Sequence, residues 1–140
     1  MTISTGRALI DTSALLALAH PRDQYHQQAV RIARQFVDAG GRWLGTTMVL
    51  GELHGLLLHR RGPDVARRVT ADLLGDPAFV WIDASTTLVQ DAMDAWLYRF
   101  RHQRFTLVDA VSFALMKRES LTTAFAFDSH FVTAGFAQLT

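Results

Sequence analysis

The chain is expected to be an α/β protein with a mostly parallel sheet, on three observations. Short apolar runs closed by a polar residue recur along it, as in Ala8-Leu9-Ile10 before Asp11 and in residues 123–127 before Asp128. Runs of that length read as buried strands. Amphipathic helical patterns separate them, and Gly or Pro breaks mark the joints, as at Gly40-Gly41 and Gly62-Pro63. Strands alternating with helices imply βαβ crossovers, with helices covering both faces of the sheet.

The elements follow in order. A strand over residues 7–11 leads into a helix from Ser13. A second helix, residues 24–39, carries Ala29, Ile32, Ala33, Phe36 and Val37 on one side and ends at the glycine pair. A short strand at 43–45 precedes a helix over 47–59, and Pro63 opens another that reaches 74. Gly75-Asp76-Pro77 turns into a strand at 79–82, and Ser85 caps a long helix running to about residue 100. A helix over 106–117, a strand over 122–127, a short helix over 130–134 and a closing strand over 136–139 complete the chain. Neither repeats nor linkers interrupt it, so residues 1–140 are expected to form a single domain.

With 49% hydrophobic residues the chain can bury a full core, which excludes a disordered class. It has no cysteine, so disulfides and thiolate zinc sites are excluded. The start shows no apolar signal core, and no stretch approaches the ~20 apolar residues of a membrane span. A cytoplasmic location without membrane contact is the expectation. Net charge is only +1, with 14 basic and 13 acidic residues. All the basic residues except Lys117 are Arg, whose planar fork suits phosphate. GC-rich codon usage explains the same bias.

Asp11, Glu52, Asp109 and Asp128 each interrupt apolar surroundings. Asp11 and Asp128 end strands, where open α/β sheets place ligands. Each also has a local role available, because both precede residues able to start a helix. Glu52, one of just two Glu residues, has Met48, Val49, Gly55 and Leu56 at helical neighbour spacing. That is an apolar setting in which a carboxylate wants a cation or hydrogen bonds. Thr106-Leu-Val-Asp109 has the spacing of a capping box, which accounts for Asp109 structurally. Asp83 closes a strand run in the same way and is a rival on pattern alone.

Four segments sharpen the choice: residues 8–16 (ALIDTSALL), 46–53 (TTMVLGEL), 107–113 (LVDAVSF) and 124–131 (AFAFDSHF). In that order and spacing, together with DQYH at 23–26 and FVTAGF at 131–136, the chain resembles PIN-domain ribonucleases, specifically VapC-type toxins of bacterial toxin–antitoxin pairs. The resemblance implies a three-layer α/β/α fold with a five-stranded sheet in order 3-2-1-4-5. In that order Asp83 falls at an edge and drops out. Asp11, Glu52, Asp109 and Asp128 take the positions of catalytic metal ligands. Ser13 and Ser112 take supporting positions, hydrogen-bonded to the carboxylates or their water. His130 stands where some of these nucleases have a further acid, so a fifth acidic ligand is not expected.

Carboxylate donors favour Mg²⁺ or Mn²⁺ over zinc. Such an ion lowers the pKa of a water that attacks an RNA phosphodiester in line. Arg99, Arg101 and Arg104, with His102, are candidate contacts to RNA phosphates, and Phe105 a candidate to stack a base. An ordinary solvated loop would have the same composition. The resemblance further implies a homodimer and a VapB-type antitoxin partner. Two other readings stand: a PIN-fold module that binds RNA or protein without cutting, and a metal-dependent phosphatase. The latter needs a second Asp two residues after the first, where this chain has Ser13.

Overall fold

Strand β1 (Arg7–Ile10) occupies the centre of a five-stranded sheet whose order is β3-β2-β1-β4-β5. Its neighbours are β2 (Arg42–Thr46) and β4 (Thr123–Phe125), with β3 (Phe79–Ile82) and β5 (Ala137–Gln138) at the edges. Every pairing is parallel, as crossover connections require. This computed structural model describes residues 6–140; the first five, part of the start in which no signal core is expected, lie outside the described residues.

Alternation along β1 divides the core between the two faces of the sheet. Leu9 and Leu44 face one side, where they meet Val111, Leu115 and the aromatic group Trp96, Phe113, Phe131 and Phe136. Ala8, Ile10 and Trp43 face the other, against Leu15, Ile32, Phe36, Leu53 and Leu57. Trp43 lies between Phe36 and Phe125, with ring centroids 4.1 and 5.1 Å away. Each fully buried Leu or Phe contributes about 1.5–3 kcal/mol.

Helices α1 (Thr12–Ala19), α2 (His26–Asp38), α3 (Thr47–Arg61) and α4 (Pro63–Gly75) cover this second face. The α2 stripe is narrower than expected. Ala29, Ile32 and Phe36 are buried, while Val37 stays exposed at the stripe's edge. Gly62, at φ +89°, gives the left-handed turn that ends α3, and Pro63 opens α4 at once.

On the first face, α5 (Thr86–Ala92) packs with α6 (Leu107–Arg118), and α7 (His130–Thr133) precedes β5. Two expectations need correction. The long helix expected from Ser85 to about residue 100 changes form midway, and Met93–Tyr98 is a π-helical segment. So short a stretch of i→i+5 bonding is not revealed by periodicity. Strand β4 ends at Phe125, so Asp128 lies three residues beyond the strand rather than at its tip. The backbone there turns away because Ser13 takes up the Phe127 N–H.

Candidate metal centre

The sheet order places a topological switch point between β1 and β4, since the chain leaves β1 toward β2 and later crosses to β4. The crevice at the carboxyl ends of these strands is where such sheets bind ligands. Asp11 follows β1 directly, and its N–H donates to the Phe125 carbonyl at 3.0 Å. Asp128 follows β4 on the adjoining side.

Asp11 is 3% exposed and caps α1. Its Oδ2 accepts from the Ser13 hydroxyl at 2.8 Å and from the Ser13 N–H at 3.2 Å. Burial above all, then the negative charges of Asp128 and Asp109, push its carboxyl up to about 7 against the Ser13 hydrogen bonds. Both other aspartates are therefore close enough to raise the cost of ionising it.

Asp109 forms the capping box anticipated from its spacing. Thr106 Oγ1 accepts from the Asp109 N–H at 3.1 Å, and Asp109 Oδ2 accepts from the Thr106 N–H at 3.0 Å. The same Oδ2 lies 2.7 Å from His130 Nδ1. Asp128 Oδ1 accepts from the His130 N–H at 3.0 Å.

A common pattern emerges: each aspartate has one oxygen engaged by protein donors. Among the described residues no protein donor reaches Asp11 Oδ1, Asp109 Oδ1 or Asp128 Oδ2. Ligand atoms of Asp109, Asp128 and His130 all lie within 4.8 Å of one another. Carboxylates each fixed through one oxygen, with the other without a protein donor, suit a hard divalent ion.

The orphaned hydroxyls point the same way. Ser112, fully buried one turn after Asp109, has an Oγ with no protein partner, and so do Thr12 and Thr46 at the ends of β1 and β2. Ser112 Oγ makes no hydrogen bond to a carboxylate, which leaves it for the expected bond to a water. Buried polar atoms normally find partners. Thr12 and Thr46 lie at the carboxyl ends of β1 and β2, and their unpartnered hydroxyls fit a hydrated ion there.

Glu52 sits at the edge of the apolar stripe of α3, outside its centre. The buried residues there are Val49, Leu50, Leu53 and Leu57, while Met48 and Leu56 are half-buried and Gly55 is exposed. Glu52 itself is half-buried and forms no ion pair among the described residues; like Asp11, it stands outside the tight Asp109–Asp128–His130 group. Asp83 is exposed after the edge strand β3. Arg99, Arg101 and Arg104 are exposed on the loop before α6. Phe105 is buried against Phe113 and His130, at 5.0 and 5.8 Å, and no base can stack on it. His130 and Thr46 were not singled out as site residues from sequence. The position of His130 two residues after Asp128 was the available signal; Thr46 offered none.

This fold and crevice define a class. The chain belongs to the PIN-domain family, whose family model matches residues 8–137. It is homologous to VapC toxins: it is 31% identical over 130 residues to "23S rRNA-specific endonuclease VapC20" of Mycobacterium tuberculosis, covering 93% of this chain and 95% of that protein. The crystal structure of the M. tuberculosis VapC20 protein, described as a Sarcin-Ricin loop cleaving toxin, superposes with a TM-score of 0.83 at 30% identity, over 93% of this chain and 96% of that one. A chain of VapBC2 from Rickettsia felis, solved with promoter DNA, shares the fold with a TM-score of 0.65 at 12% identity, over 94% of this chain and 96% of that chain.

Proposed function

We propose that this protein is a Mg²⁺-dependent endoribonuclease acting in the cytoplasm, the toxin of a toxin–antitoxin pair. The observation that carries this reading is the single free oxygen on each of Asp11, Asp109 and Asp128 at one crevice. These three, together with Glu52, would hold the ion. A bound ion supplies an activated water and neutralises charge on the phosphate. The chain's own residues do the rest. Ser13 fixes the Asp11 carboxylate, His130 and Thr106 fix Asp109, and Ser112 holds water beside them. Arg99, Arg101 and Arg104 draw the RNA strand toward the crevice by its phosphates.

The name of the M. tuberculosis relative makes 23S ribosomal RNA the first substrate to test. A VapB-type antitoxin and assembly as a homodimer are the partners that the resemblance implies. Incubating the purified protein with ribosomes and Mg²⁺, then sequencing new RNA ends, tests the reading. Discrete ends that are absent for Asp128→Asn support it. An unaltered RNA population overturns it.

A further inference from the structure

Tyr98 closes the π-helical segment and is 70% exposed, the most exposed large aromatic or aliphatic side chain among the described residues. π-Helical turns are rare and recur at functional sites. The tyrosine is held in place there. The Arg101 guanidinium lies 5.0 Å from its ring centroid, and Arg101 Nη1 donates to the Tyr98 carbonyl at 3.0 Å. One ring face is thereby covered by a cation, and the other is open to solvent.

The surroundings are basic. Residues 98–105 contain Arg99, Arg101 and Arg104 and no acid. None of these arginines forms an ion pair among the described residues. The loop is anchored at both ends by rings that pack inward. Phe100 packs on Trp96 at 5.3 Å, and Phe105 meets Phe100 at 6.2 Å and the His130 ring at 5.8 Å. These contacts fix the loop that follows Tyr98 and end it on the His130 ring of the metal centre.

We propose that Tyr98, held by Arg101, is a stacking platform for an unpaired nucleobase of the bound RNA. Arg99 and Arg104 grip the adjacent phosphates. An exposed aromatic beside unpaired arginines is the combination that binds single-stranded nucleic acid, because every base has a face to stack and every nucleotide a charge to neutralise. Duplex RNA keeps its bases stacked on each other and gains nothing from such a platform. The assignment rests on the endoribonuclease reading and adds to it a base-stacking subsite.

The test uses the Asp11→Asn protein in Mg²⁺ with a short fluorescein-labelled single-stranded RNA of mixed sequence, followed by anisotropy. A second RNA carries abasic sites at every position. Adding Tyr98→Ala should weaken binding to the first RNA about tenfold or more and leave the abasic RNA unaffected. Tyr98→Phe should retain parental affinity. Because Tyr98 is exposed, the variant should melt like its parent, which removes misfolding as an explanation. Equal binding of both RNAs by Tyr98→Ala and its parent would overturn the platform while leaving the nuclease reading intact. An Asp11→Asn protein that does not bind RNA, together with unsubstituted protein that does not cut it, would overturn both.

Discussion

The Ser13 hydroxyl donates to Asp11 Oδ2 at 2.8 Å while accepting the Phe127 N–H at 3.0 Å. One side chain thus joins the turn after β1, which carries Asp11, to the segment after β4, which leads to Asp128. Ser13→Ala removes both bonds and leaves a partly buried N–H without its acceptor. The expected loss is about 1–3 kcal/mol of stability, measured by urea unfolding. Cleavage should fall about 10- to 100-fold, because Asp11 loses its orientation.

Asp11 makes the metal-free protein sensitive to pH. Its carboxyl titrates near 7 when folded, against an ordinary 3.8. Between those values the folded state binds more protons than the unfolded one, so stability should fall as pH rises from about 4 to about 7 and then level off. Thermal melts across that window check the sign. Asp11→Asn should flatten the slope and raise the melting temperature at the alkaline end. Adding Mg²⁺ to the unaltered protein should remove much of the decline, since the ion replaces the proton.

His130 holds Asp109 through Nδ1 at 2.7 Å and Asp128 through its own N–H at 3.0 Å. His130→Ala keeps the backbone contact and loses the ring. Groups that orient ligands typically contribute 10- to 100-fold in metal affinity. Calorimetry with Mn²⁺ should show a loss of about tenfold, with the fold preserved.

Gly45 lies where β2 passes under Trp81, and a Cβ there would meet the ring at 2.6 Å. The ring has little freedom to move, because Trp81 Nε1 donates to the Leu73 carbonyl at 3.0 Å. Gly45→Ala should destabilise by about 1–3 kcal/mol through overpacking, read as a lower denaturation midpoint. Gly51→Ala, with open space around its Cβ, is the control and should be neutral or slightly stabilising.

The fold was legible because its signals are local and repeated. Apolar runs such as Ala8-Leu9-Ile10, the Gly62-Pro63 joint and the Thr106–Asp109 capping box each specify their element from a few neighbouring residues. The strand order came from family resemblance, since periodicity carries no information on which strands are neighbours. At the site, the acids were visible as carboxylates in apolar surroundings. Their caps were visible too, and the structure gives Asp11 and Asp109 a capping oxygen and a free one at once. What was hidden depended on distant packing. The burial of Phe105 comes from Phe113 and His130, the exposure of Tyr98 from a change in helical pitch, and the orphaned Thr46 hydroxyl from the sheet around it.

Asp11, Asp109 and Asp128 are proposed to act together by holding a divalent ion. In vitro cleavage of ribosomal RNA, run with Mg²⁺, with excess EDTA, and with Mg²⁺ restored, tests it most directly alongside Asp128→Asn. Cutting should appear only in the two Mg²⁺ arms and be absent from the variant in all three. Cutting that persists in EDTA, or that Asp128→Asn performs at the parental rate, would contradict it.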